Sequence, residues 1–169
     1  MPRPDSPSVP KAPLRLLFVC SGNTCRSPLA EVLARGLSRT RGLEALDVRS
    51  AGTSTVHGLP ASEGALRAAD RHALDLQSHQ STPLTPELVA WADLILTMEG
   101  THLQRVQELG GGGKAALLGV FAQGVEGGGR ELSVPDPFGG DDRIYEEVFH
   151  TLEGYVDGAL QRLSGEGGD

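Results

Sequence analysis

The sequence predicts an α/β fold, a three-layer sandwich whose central sheet is parallel and covered by helices on both faces. Three observations lead there. Strand-like and helix-like segments alternate along most of the 169 residues, the pattern that buries a parallel sheet between helical layers. The run Leu14-Arg15-Leu16-Leu17-Phe18-Val19 is apolar enough on both faces for a strand covered on each side. Near the end, residues 142–163 carry Ile144, Val148, Leu152, Val156, Leu160 and Leu163 as the apolar stripe of a long amphipathic helix.

The elements follow in order. Residues 1–13 are Pro-rich and read as a flexible extension. After the first strand, Ser27 and Pro28 read as a helix start, a serine N-cap followed by a proline whose missing N–H costs nothing there. Leu29, Val32, Leu33, Gly36 and Leu37 mark one face of that helix. Residues 46–51 form a short second strand, 61–72 and 86–92 two helices, and 93–98 the clearest strand after the first. A helix over 99–108 and a last strand over 115–118 complete four strand candidates. Gly110–Gly113 and Gly127–Gly129 read as flexible surface turns, and residues 164–169 as a fraying tail. One domain, 14–163, suits a 17.7 kDa chain with room for a substantial core.

Composition narrows the function. A net charge of -7 gives no general basic field for nucleic acid. The two cysteines, Cys20 and Cys25, are too few for a disulfide framework and lack flanking zinc ligands; two thiols in a reduced cytoplasm fit better. The N-terminus has no export-type apolar region, and the apolar run 14–20 is far too short to span a bilayer. A soluble, cytoplasmic chain without membrane or nucleic-acid partners is expected, and a monomer is the simplest state.

The chemistry concentrates in Cys20-Ser21-Gly22-Asn23-Thr24-Cys25-Arg26-Ser27. A thiolate is the useful nucleophile, and its pKa falls at a helix N-terminus beside N–H donors and an arginine. Cys20 ends a strand, and a helix begins directly after Arg26. A loop of this length can curl its N–H groups onto a dianion. Gly22 lets the backbone turn, and Asn23 tolerates left-handed geometry. Arg26 offers a planar fork to two phosphoryl oxygens, and Ser27 can donate to the sulfur. The loop leaves the strand at its carboxyl end, where parallel sheets bind ligands. A buried cysteine is commonly only a small core hydrophobe, but that reading leaves the other loop residues unexplained. The Gly-Lys-Ser/Thr ending of a nucleotide P-loop is missing.

The string Val19-Cys20-Ser21-Gly22-Asn23-Thr24-Cys25-Arg26-Ser27-Pro28 resembles the active-site loop of the low-molecular-weight protein-tyrosine phosphatases. The likeness extends to Arg49–Thr53, Leu76–Thr85, Ala92–Ile95 and Asp136–Gly140. It implies a four-stranded parallel sheet, no metal or other cofactor, and a phosphocysteine intermediate. Cys20 would be the nucleophile, Arg26 the phosphate clamp and Asp136 the general acid. Asp136 also has its own chemical case, since Pro135 and Pro137 restrict the backbone on either side of it; alone it would read as an ordinary turn aspartate. Asn23, Ser27, Ser50 and His79 resemble the family's network that braces the loop. Cys25, close to Cys20 in the curled loop, can form a reversible disulfide that shields the nucleophile.

Two features bear on the substrate, a phosphorylated protein. The chain is poor in aromatics, at 4%, where a phosphotyrosine pocket benefits from flat aromatic walls. Trp91 precedes a strand and reads as packing. Thr24 narrows the mouth of the loop, and together with Phe138-Gly139-Gly140 it resembles the bacterial protein-arginine phosphatases of the family. Phosphoarginine is favoured, with Asp136 pairing to the guanidinium and selectivity resting on Thr24 and Phe138. Phosphotyrosine is the alternative. Arsenate reduction would require an external thiol, since no cysteine follows Cys25. A silent phospho-binding module would be expected to lack the nucleophile or the acid.

Overall fold

The computed structural model describes residues 13–43, 45–125 and 132–165. Strand β1 (Leu14–Cys20) is the spine of the molecule. Its side chains alternate between two apolar cores: Leu16, Phe18 and Cys20 face one, while Leu17 and Val19 face the other. That two-sided burial is why the segment reads as continuously apolar. β1 pairs in parallel with β2 (Leu46–Gly52) on one side and β3 (Leu94–Thr97) on the other. β4 (Ala115–Leu117) extends the sheet beyond β3, giving the order β2-β1-β3-β4.

Helices α1 (Arg26–Thr40), α2 (Glu63–Arg71), α5 (Leu118–Gln123) and α6 (Asp142–Ser164) build the larger core with Leu16 and Phe18. Helices α3 (Pro86–Trp91) and α4 (Gly100–Glu108) cover the opposite face through Val89 and Val106, packed on Leu17, Val19 and Ile95. The chain first adds β2 on one side of β1 and then crosses over to add β3 on the other. The carboxyl end of β1 is therefore a topological switch point, the place where such sheets bind ligands. Residues 20–26 occupy it.

Several expectations are corrected. The N-cap of α1 is Cys25, and Ser27 is already helical; its hydroxyl is directed to the Cys20 sulfur instead of a helix N–H. Asp93 lies before β3 and its carboxylate accepts the Arg15 N–H at 2.9 Å, while α2 starts at Glu63 behind an N-cap made by Ser62. The segment 118–123 is an additional helix, ended by left-handed Gly124. Gly111 is no surface turn: a Cβ there would lie 2.6 Å from Val106 Cγ1, and a short 3-10 turn, Gly112–Lys114, follows. Ser164 and Gly165 belong to the end and cap of α6 rather than to a tail. Residues 1–12, 127–129 and 166–169 lie outside the described residues.

Along α6 the buried face is Tyr145, Val148, Phe149, Leu152, Val156, Ala159 and Leu160, whereas Ile144 is exposed. A stripe stepped strictly by four residues gains about 40° per step against the 3.6-residue turn, about 160° from Ile144 to Leu160, so its first member falls off the core face. Tyr145 and Phe149 take the positions that Ile144 vacates. Trp91 packs with the second core and carries the Arg49 guanidinium 4.1 Å above its ring, in line with a packing role.

Candidate active site

The loop is organised around Asn23, which is fully buried and adopts a left-handed conformation at φ 55. That conformation is tolerated by asparagine better than by most side chains. Gly22, by contrast, has no positive φ, and a Cβ there would meet only Thr24 Oγ1 at 3.5 Å, so the loop turns at Asn23. The Asn23 amide is used at both ends. Its Oδ1 accepts from the Thr82 N–H at 2.8 Å, and its Nδ2 donates to Ser27 Oγ at 2.7 Å and Ser50 Oγ at 2.9 Å. His79 Nε2 donates to the Asn23 carbonyl at 2.7 Å.

Donor directions then follow through the network. A carboxylate only accepts, so Ser50 gives its proton to Glu31 Oε1, 2.6 Å away. Ser27 accepts from Asn23, which leaves its own proton for Cys20 Sγ at 2.9 Å. The Asn23 N–H also points at that sulfur, at 3.3 Å. Two hydrogen-bond donors therefore converge on one sulfur.

Arg26 opens α1 with its side chain only 2% exposed. Nη1 is held by the Glu99 carboxylate and by the Val134 carbonyl at 2.9 Å. Nη2 lies 3.8 Å from Asp136 Oδ2. Nε is buried and has no hydrogen-bond partner among the described residues. A buried guanidinium donor left unpaired is costly, and an oxyanion is the natural acceptor for it. Asp136 Oδ1 accepts the Phe138 N–H at 3.1 Å, which together with the flanking prolines fixes the turn. Cys20, Ser21, Gly22, Thr24, Cys25, Arg26, Asp136 and Phe138 line one cleft of about 260 Å³. The Cys20 thiol, the Arg26 guanidinium and the Asp136 carboxylate therefore open onto the same space.

The sequence profile of the low molecular weight phosphotyrosine protein phosphatases matches residues 15–167. The chain belongs to this family. A protein-arginine-phosphatase of Bacillus subtilis is 38% identical over 140 residues, which cover 82% of this chain and 89% of that one. A probable low molecular weight protein-tyrosine-phosphatase, EpsP of Ralstonia nicotianae, is 32% identical over 148 residues, covering 88% and 94%. The YwlE arginine phosphatase structure from Geobacillus stearothermophilus aligns with a TM-score of 0.80 at 32% identity, covering 91% of this chain and 95% of that one.

In this low-molecular-weight phosphatase the second thiol sits in a different environment from the first. Cys25 Sγ lies 3.2 Å from Ser62 Oγ and 3.3 Å from the Tyr145 hydroxyl. Burial, followed by the hydrogen bond to Cys25, pushes the Tyr145 pKa up to about 12, so Tyr145 stays protonated. Both cysteines are free thiols.

Four residues that support the site were not singled out from the sequence: Glu31, Thr82, Glu99 and His102. His102 Nδ1 accepts the Glu99 N–H at 3.1 Å, so Nε2 carries the proton and donates to Ser21 Oγ at 2.9 Å. Burial, and then the Arg26 charge, lower the His102 pKa to about 4, which keeps the ring neutral. The signal for this pair was present as Glu99-x-x-His102 at a helix start, the spacing of a capping box. Glu31 lies one helical turn after Ser27, on the same side of α1, and so reaches the brace. A separate cavity of about 390 Å³ touches Glu31, Ser50 and His79; it lies against this hydrogen-bond network and is lined by neither Cys20 nor Asp136. Among the described residues, no helix is long and apolar enough to cross a membrane.

Proposed function

We propose that this phosphatase hydrolyses phosphoarginine in proteins through a phosphocysteine intermediate. The observation that carries the phosphoryl chemistry is the Arg26 guanidinium, buried with Nε unpaired, in the same cleft as a sulfur that two donors hold ready. The Cys20 thiolate attacks phosphorus while the P–N bond to the guanidino group breaks, and Asp136 protonates the departing nitrogen. Arg26, the loop N–H groups and the α1 N-terminus hold the transferring oxygens. Asp136 then takes a proton from water as that water attacks phosphorus, releasing phosphate and restoring the thiolate, which the Ser27 proton stabilises. Asn23, Ser50 and His79 brace this geometry. A cysteine-to-serine variant of the YwlE arginine phosphatase has been solved with its active-site serine phosphorylated, which supports a side-chain phosphoryl intermediate here.

Thr24 supports phosphoarginine. Its branched side chain lines the cleft and narrows it against a phenyl ring, while Asp136 sits where a cationic leaving group gains charge-assisted hydrogen bonds. Phosphotyrosine is the second reading. It is favoured by relatives named as tyrosine phosphatases and by Phe138, which is 73% exposed at the cleft and free to stack on a ring. Parallel turnover of phosphoarginine and phosphotyrosine peptides separates the two. Thr24→Ile is expected to raise phosphotyrosine turnover and lower phosphoarginine turnover; an unchanged ratio removes the argument from Thr24. Cys20→Ser is expected to abolish hydrolysis of an aryl phosphate, with chelators having no effect on the native enzyme. Cys25 completes the reading as redox partner: peroxide converts the Cys20 thiolate to a sulfenic acid, and the Cys25 thiol displaces water to form the disulfide.

A further inference from the structure

The geometry points to a binding site for a divalent transition metal of the zinc class, formed by His72, Glu146 and His150 outside the catalytic cleft. The ligand atoms of these three residues all lie within 4.8 Å of one another. His72 stands at the C-cap of α2, and Glu146 and His150 are one turn apart on α6. Both imidazole Nε2 atoms converge on the same carboxylate oxygen, Glu146 Oε2, at 2.5 Å from His72 and 3.3 Å from His150. The other oxygen, Oε1, is occupied by the Arg71 guanidinium at 2.8 Å.

In the tautomer that carries its proton on Nδ1, each imidazole turns an Nε2 lone pair toward the space beside Glu146 Oε2. A cation takes the lone pairs of all three atoms at once. Tetrahedral zinc with bonds of about 2.0–2.1 Å separates its ligand atoms by roughly 3.3 Å, close to the His150–Glu146 distance and within a small side-chain rotation of the others. The supporting contacts are also those of a metal site. The His72 ring stacks on Phe149 with centroids 4.0 Å apart. His150 Nδ1 lies 3.5 Å from Glu153 Oε1, which directs Nε2 toward the metal. His150 is exposed, which leaves the remaining coordination to water. The result is a staple between α2 and α6, one residue from Tyr145, whose hydroxyl meets Cys25.

The test is calorimetric titration of Zn²⁺ into the full chain carrying Cys20→Ser, which removes the reactive thiolate as a competing ligand. One equivalent of Zn²⁺ with micromolar affinity is expected, weakened at least about tenfold by adding His150→Ala, a change at an exposed position. Co²⁺ in the Cys20→Ser chain should give d–d absorption without a thiolate charge-transfer band, lost on His150→Ala. Absence of Zn²⁺ binding in the Cys20→Ser chain, a weakening of less than tenfold on His150→Ala, or a thiolate band with Co²⁺ overturns the assignment and leaves an ion-pair cluster only.

Discussion

His102 gives this protein a built-in sensitivity to acid, and replacing it by glutamine exposes the effect. Glutamine is the usual partner at this position of a capping box, so His102→Gln retains an acceptor for the Glu99 N–H and a donor toward Ser21 while removing the titrating ring. In the folded chain the His102 pKa is lowered to about 4 from 6.5, and the side chain is only 2% exposed. Between those two values the unfolded chain binds a proton that the folded chain refuses. Stability therefore rises with pH across this window and is lost as pH falls through it. Between pH 7 and pH 5 the native chain should lose about 2 kcal/mol from this group, and the variant should be spared that loss. Urea unfolding at the two pH values, with equal m-values, reads the difference directly. Other titrating groups, including Glu146, are common to both chains and cancel in the comparison. Identical pH dependence in the two proteins would refute the claim that His102 is held neutral by burial and by Arg26.

The remaining expectations concern the brace and the packing behind it. Asn23→Ala removes hydrogen bonds to Thr82, Ser27 and Ser50 and places alanine at φ 55. A loss of about 2–4 kcal/mol in urea unfolding should accompany a fall in kcat on an aryl phosphate; full activity would show that Ser27 needs no such orientation. Gly64→Ala sets a Cβ 2.3 Å from Tyr145 Cε2, so thermal unfolding should show a loss of about 1–3 kcal/mol, and native stability would mean that Tyr145 moves freely. Cys25→Ala should make peroxide inactivation irreversible by thiols. Unchanged recovery, with no Cys20–Cys25 bond by mass spectrometry in the native chain, removes the redox role.

Much of the architecture was legible because it rests on local patterns. β1 shows itself by apolar residues on both faces, and the helical run behind Ser62 was visible although its start was placed at residue 61 instead of Glu63. The reading failed where a residue has two possible partners. Ser27 looks like an N-cap, since serine before proline at a helix start is a local optimum, but the folded loop presents it with a sulfur and an amide instead. Ile144 looks like part of the α6 stripe until the helix is rotated against α2, where Gly64 leaves room for the Tyr145 ring. The segment 118–123 is too short for periodicity to declare it.

Cys20 and Arg26 were named from residue chemistry and motif, because a thiol and a cation within one short loop must meet whatever the rest of the chain does; Asp136, far along the chain, was named through the family resemblance. Which groups steady them was decided only in three dimensions. Glu99 and Val134 reach Arg26 from far along the chain, and Glu31 directs the Ser27 proton through two intermediaries. Likewise, His72 meets Glu146 and His150 across 74 or more positions, where no spacing rule applies. Short-range chemistry is written in sequence because the chain itself brings its neighbours together. Contacts between distant elements depend on how helices rotate and pack on the sheet, and that is settled by the whole core at once.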